Sequence, residues 1–210
     1  MPTIRLVPST YARSSTTYVT VTSPSNMYTN VDSTTYATLT STRAATTAYY
    51  VYIGGFNFDA IPSGAHVTEY TIKVKGYETG LSTSTSYAPR LVNWSSSSAP
   101  TISGAAAASS TFDTSTKIIT VPSTIAWETL VGYGSNLRIR VAVRRAASNT
   151  QGYLYIYGAE ILVNYTIPGS LPVRVKNNGS WVTPTKVLVK DGGTWKEPTN
   201  ILAKSGGSWH

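Results

Sequence analysis

The chain has no cysteine, which removes disulfide scaffolds, thiolate metal ligands and cysteine nucleophiles together. Histidine is nearly as scarce. His66 and His210 are the only two in 210 residues, so a Ser-His-Asp triad or a histidine metal site has little to draw on. No metal or cofactor is expected. Charged residues make up 12% of the chain, about half the usual share. No segment reaches the roughly 20 apolar residues of a membrane-crossing helix, so membrane insertion is not expected. The opening stretch MPTIRLVPSTYARSS holds no apolar run of signal-peptide length. The expectation is a chain soluble when made and not exported by a standard signal.

Chemical motifs are missing as well. GYGSNL places Leu137 where a dinucleotide fingerprint needs its third glycine. No phosphate loop or EF-hand pattern occurs. The nine carboxylates include no adjacent pair. Asp59, Glu69, Glu78, Asp113, Glu128 and Glu160 could in principle supply a glycosidase pair, but spacing alone does not say which would converge. No catalytic residue is assigned, and the chain is read as not an enzyme.

What the chain does have is Thr and Ser, 32 and 26 of them, with 15 Tyr and 5 Trp. An apolar content of 41% is too high for a disordered chain. Thr, Val, Ile and Tyr punctuated by Gly and Pro favour strands. The net charge is +8, with 11 basic against 7 acidic residues up to Ile167 and 6 against 2 beyond it. Only Arg144 and Arg145 are adjacent, so the dense basic stripe of a nucleic-acid binder is missing. The charge is read as serving solubility or attraction to an acidic surface, with no nucleic-acid partner.

Period-2 patterning places the strands. In HVTEYTIKVKGYE, Thr68, Tyr70, Ile72 and Val74 point one way and Glu69, Thr71, Lys73 and Lys75 the other. In NLRIRVAVRR, Leu137, Ile139, Val141 and Val143 are expected to face a core, with Arg138, Arg140 and Arg144 toward solvent. In GYLYIYGAEILVNYTI, Tyr153, Tyr155, Tyr157, Ala159, Ile161, Val163, Tyr165 and Ile167 form one continuous apolar face. Gly158 on the opposite face marks a bend or bulge. TTAYYVYIGGF, APRLVNW, TKIITV and TTYATLT are further strands. PSTIAWETLVGYG is the one helical candidate, starting at Pro122, Ser123 and Thr124, carrying Ile125, Trp127 and Leu130, and stopping at Gly132. Residues 1–167 are therefore expected to form an all-β, antiparallel sandwich of jelly-roll type. Residues 168–172 form a Pro/Gly linker.

Residues 173–210 are a 14-residue unit written twice and then cut short: VRVKNNGSWVTPTK, VLVKDGGTWKEPTN, ILAKSGGSWH. Asn178-Gly179, Gly192-Gly193 and Gly206-Gly207 suit a two-residue type I′ turn, which needs positive φ at both positions. That turn puts Lys176 opposite Trp181, Lys190 opposite Trp195 and Lys204 opposite Trp209. A lysine stem over an indole contributes about 0.5–1 kcal/mol at an exposed site. Isolated hairpins are marginal in water, so these six residues are read as serving attachment or oligomerisation. The shortened third unit is read as a cap.

Trp94 with nearby Tyr87 is the body's candidate for stacking on a sugar ring. Tyr50, Tyr52, Tyr153, Tyr155 and Tyr157 are read as filling a Tyr-rich core or a subunit interface.

The cysteine-free body with IPSGAHVTEYTIKVKGYETG and LRIRVAVRR…GYLYIYGAEILVNYT resembles β-sandwich modules of tailed-bacteriophage and prophage structural proteins. The ending VKDGGTWKEPTNILAKSGGSW is similar to the short K-x-G-x-W repeats that close many phage minor tail and fibre-like proteins. The resemblance implies a virion component on the particle exterior, as tail, fibre or capsid decoration. Other virion proteins and copies of the same chain would then be its partners, and a host-surface glycan a possible ligand in adsorption.

Overall fold

The computed structural model describes residues 2–42, 48–81, 88–95, 99–143, 145, 151–167, 175–177, 180–182, 188–196, 204–205 and 208–209. The chain divides into two compact units. One comprises Met1–Ile61 and Val67–Tyr165, the other Pro62–His66 and Thr166–His210.

The first unit is an antiparallel β-sandwich. Its strands are β1 (Thr3–Leu6), β2 (Thr10–Arg13), β3 (Val19–Thr22), β4 (Ala37–Ser41), β5 (Tyr49–Gly54), β6 (His66–Thr79), β7 (Arg90–Asn93), β8 (Lys117–Val121), β9 (Leu137–Val143) and β10 (Gly152–Thr166). One sheet runs β3-β4-β10-β6-β8, with β1 also paired to β10; the other runs β2-β5-β9-β7. From β4 to β10 every successive strand crosses to the opposite sheet. Each sheet thus brings together segments distant in sequence, and their inner faces share one apolar core. Leu39, Ile72, Val74, Leu154 and Ile161 come from the first sheet, and Val51, Ile53, Leu91, Ile139 and Val141 from the second.

Alternation explains most of this core. Leu137, Ile139, Val141 and Val143 are buried, as the period-2 reading of β9 requires. On β6 the same holds for Ile72 and Val74. β10 departs from expectation. Leu154 and Ile156 are buried ahead of Gly158, but Ala159, Ile161 and Val163 after it, so the inward parity switches at the glycine. The continuous odd-numbered face is therefore wrong: Tyr153, Tyr155 and Tyr157 stand on the outer face, and only the residues beyond Gly158 follow the expected phase. The cause is local. β4 pairs with Gly152–Ile156 and β1 with Ile161–Asn164, and the backbone of Thr29 and Asn30 fills the gap between them. Ala159 N donates to Thr29 O at 3.0 Å and Thr29 Oγ1 donates to Tyr157 O at 2.9 Å. A Cβ at position 158 would stand 2.3 Å from Asn30 O, so only glycine admits this segment.

The helix is shorter than its sequence signals. α1 spans Trp127–Gly132, with Ala126 at its N-cap. Ser123 and Thr124 are used otherwise: the Ser123 hydroxyl pairs with Tyr70 Oη at 2.7 Å, and Thr124 N donates to Gly104 O at 3.0 Å. Ile125 and Leu130 are buried in the core. Strands β1, β2 and β3 are additions to the sequence reading. Each has four residues, too few for a periodicity argument.

The second unit carries three separate two-stranded pairings: β11 (Val175–Asn177) with β12 (Ser180–Val182), β13 (Val189–Asp191) with β14 (Thr194–Lys196), and β15 (Lys204–Ser205) with β16 (Ser208–Trp209). Lys176 is the direct partner of Trp181, Lys190 of Trp195, and Lys204 of Trp209. In the middle hairpin Gly192 has φ +56° and Gly193 φ +85°, the double positive φ of a type I′ turn. The linker 168–172 and the outer turns at 178–179 and 206–207 lie outside the described residues.

Candidate functional site

The outer face of the β2-β5-β9-β7 sheet gathers cations and aromatic rings. Alternation on β9 turns Arg138 and Arg140 away from the core; on β5 it does the same for Tyr50 and Tyr52, and on β7 for Arg90 and Val92. Register then sets the rows. Tyr52, Arg140 and Arg90 are direct neighbours across three strands, and Gly54, Arg138 and Val92 form the next row. The Arg140 guanidinium lies 4.4 Å from the Tyr50 ring centroid, within cation–π range. Trp94, just past β7, packs its ring 4.3 Å from Tyr52 at 35°. Tyr52 is consequently only 5% exposed, although it faces outward.

These arginines are half-buried rather than simply solvent-facing. Burial pushes the Arg138 and Arg140 guanidiniums below their ordinary value, and Arg90 adds to the effect at Arg140. Among the described residues, the carboxylate ion pairs are Arg5 with Asp32 and Glu160, and Lys117 with Asp113. None involves Arg90, Arg138 or Arg140. The Nε atoms of Arg90 and Arg138 are buried without a hydrogen-bond partner. Arg138 crosses Gly54, where a Cβ would meet its Cδ at 2.6 Å, and its Nη1 donates to Thr10 Oγ1 at 2.8 Å. Arg138 also lines an open cleft of about 490 Å³ with Ser9, Asn57, Phe58, Asp59 and Ser135.

The opposite outer face, on the six-stranded sheet, carries a tyrosine cluster. Tyr77 stacks on Tyr155 at 4.3 Å and 10°, and Tyr36 meets Tyr155 and Tyr157 edge-on at 5.1 and 5.3 Å. Lys75 Nζ lies 5.0 Å from the Tyr157 ring and donates to Ser33 O at 2.9 Å. These tyrosines are therefore not core residues.

The carboxylates named from the sequence are dispersed, with one exception. Asp113 adds to the upward shift of Glu78, and the two pKa values move apart: burial pushes Glu78 up, while Lys117 and Ser115 hold Asp113 down at about 2. Opposed shifts can mark an acid–base pair, but here both carboxylates shape turns. Glu78 Oε2 accepts from Leu81 N at 2.9 Å, and Asp113 Oδ1 accepts from Ser115 N at 2.9 Å. Glu160 is buried, with Arg5 Nη1 3.7 Å from its Oε2. Among the described residues no three His, Asp or Glu side chains gather as a metal site requires, and no helix is long and apolar enough to cross a membrane.

Trp94 is thus placed on the arginine face, while Tyr87 lies outside the described residues. Of the repeat residues, Lys190 and Trp195 are exposed, Trp195 by 62%. For Lys176, Trp181, Lys204 and Trp209 the backbone pairing alone is described. The convergence of Arg90, Arg138 and Arg140 escaped the sequence reading. The Arg-x-Arg spacing was visible, but the third arginine, 48 residues upstream of Arg138, arrives through strand pairing. No protein-family model matches the chain, and neither a curated protein nor a solved structure matches it at a significant level.

Proposed function

We propose that the protein is a non-enzymatic structural component of a tailed-phage particle, displayed on the exterior as a tail, fibre or capsid-decoration part. In this reading the sandwich is the displayed body, and the C-terminal hairpins attach it or join copies of it. The alternation of β4 to β10 between sheets supports a jelly-roll reading of the body. The observation that carries the attachment role is Trp195. It is a 62% exposed indole on a hairpin of two three-residue strands, too small to be stable alone, and a partner surface would both bury the ring and order the hairpin. Two measurements test this. The protein should co-purify with intact particles; recovery only as a free monomer overturns the reading. Light scattering on the full chain should show oligomers that are lost when Trp181, Trp195 and Trp209 are all changed to Ser.

A second reading, compatible with the first, is host-glycan binding in adsorption. It rests on the Trp94–Tyr52 pair on an outer sheet face beside three half-buried arginines. Glycan-array binding lost in Trp94→Ala supports it, and no binding to any host-wall glycan counts against it.

A further inference from the structure

We propose that the outer face of the β2-β5-β9-β7 sheet binds an acidic polysaccharide, with a sugar ring packed on Trp94 and its carboxylates paired with Arg90, Arg138 and Arg140. The proposal rests on the glycan-binding reading and adds the chemical class of the ligand.

Direct cross-strand placement of Arg140 and Arg90 sets like charges against each other, which weakens a sheet. Partial burial of the guanidiniums weakens it further. The Tyr50 ring against Arg140 and the hydrogen bond from Arg138 to Thr10 Oγ1 relieve this only in part. Among the described residues no carboxylate pairs with any of the three, and two Nε donors are buried with no acceptor. A structural arginine cluster is normally neutralised by acids of its own fold; this one is left to be neutralised by something that binds.

Geometry narrows the ligand. Neighbours across a ladder are ~5 Å apart and every second residue along a strand ~7 Å apart, so the three arginines leave the sheet from a compact triangle of backbone positions, with Arg140 reaching over Tyr50 and Arg138 over Gly54 toward Thr10. A planar guanidinium fork matches a carboxylate through two parallel hydrogen bonds. The Trp94 ring, backed by Tyr52, supplies a flat apolar platform next to that triangle. Single-stranded nucleic acid calls for several platforms in series along a basic groove, whereas one platform beside a few cations suits a sugar acid. The cleft beside Arg138 offers Ser9, Asn57, Asp59 and Ser135, side chains that can hydrogen-bond sugar hydroxyls, and about 490 Å³ is in the range of small-ligand sites.

The test is calorimetric titration of the full-length protein with tetragalacturonate, neutral galactotetraose and oligothymidylate. Tetragalacturonate should bind in preference to both others. Arg90→Gln and Arg140→Gln should each weaken it by about tenfold or more, the loss expected for a charge-assisted pair. Trp94→Ala should abolish binding, and Lys73→Gln, which removes a charge from the other sheet, should change nothing. Thermal unfolding of each variant checks its fold; if Arg140→Gln does not fold, Arg90→Gln carries the test. Equal binding of the neutral tetraose, insensitive to the arginines but lost with Trp94, overturns the acidic class and leaves the glycan reading standing. Binding of neither sugar sinks both. Tighter binding of oligothymidylate, or equal loss in Lys73→Gln, overturns the proposal.

Discussion

Arg140 holds its guanidinium 4.4 Å from the centre of the Tyr50 ring, while the residue directly across the ladder from it is Arg90. The ring attracts the cation and the neighbour repels it. The two arginines share one outer face, and among the described residues neither pairs with a carboxylate, so the repulsion is part of the resting fold.

Removing one of the two charges should therefore stabilise the protein. Arg90→Gln is expected to raise the unfolding free energy by about 0.2–1 kcal/mol, the scale of a cross-strand pair. The gain should shrink in high salt, because screening already weakens the repulsion. Urea titrations at low and high ionic strength measure both effects. A loss of stability in both conditions would mean that Arg90 has a favourable partner.

Glycine substitutions should split by sign. Gly158→Ala forces a Cβ to within 2.3 Å of Asn30 O and 2.6 Å of Thr29 O, both backbone atoms with no rotamer to escape into. A loss of about 2–3 kcal/mol is expected. Gly132→Ala, at the end of α1, meets nothing within 4 Å and should add about 0.5–1 kcal/mol from helix propensity. Denaturant midpoints of the two variants decide the matter.

The pH dependence has two limbs. Asp113, hydrogen-bonded first by Lys117 and then by Ser115, is held at about 2 against an ordinary 3.8. Its stabilisation is complete above 3.8 and is lost as pH falls from there toward 2. Burial moves Glu78 the other way, above its ordinary 4.5. Its penalty is absent below 4.5 and grows as pH rises from 4.5 to the raised value. Stability measured across this range should lose its acid limb in Asp113→Asn, whereas Glu78→Gln should remove the decline above 4.5. Parallel curves for wild type and Glu78→Gln would show that Glu78 is not shifted.

The middle hairpin should depend on its turn. Gly192 and Gly193 both hold positive φ, which costs a β-branched residue about 1–3 kcal/mol. A hairpin this small has little stability in reserve. Gly193→Val should abolish the cross-strand NMR contacts between Lys190 and Trp195 and leave the sandwich spectrum unchanged. Retention of those contacts would show that partners or neighbouring units, rather than the turn, order the hairpin.

The tail was legible because its rules are local. An Asn-Gly or Gly-Gly pair sets a two-residue turn, and the turn sets which residues face each other, so Lys190 falls opposite Trp195 without reference to the rest of the chain. The inward residues of β9 and of the Ile72–Val74 part of β6 followed from alternation for the same reason. β10 shows where that logic stops. Its phase depends on Thr29 and Asn30, more than a hundred residues away, which wedge against Gly158 and switch the inward parity, so three tyrosines assigned to an apolar face with Ala159 and Ile161 stand outside.

By itself the sequence determined an all-β chain, the period-2 core of its clearest strands, and three hairpins in register. Tertiary structure alone decided the arginine face. Arg138 and Arg140 are two residues apart on one strand, but Arg90 reaches them only because β7 pairs with β9, and Trp94 reaches Tyr52 only because β5 lies on the other side of β9. Side-chain alternation is a property of one strand, whereas neighbours across a sheet are chosen by the packing of all of them.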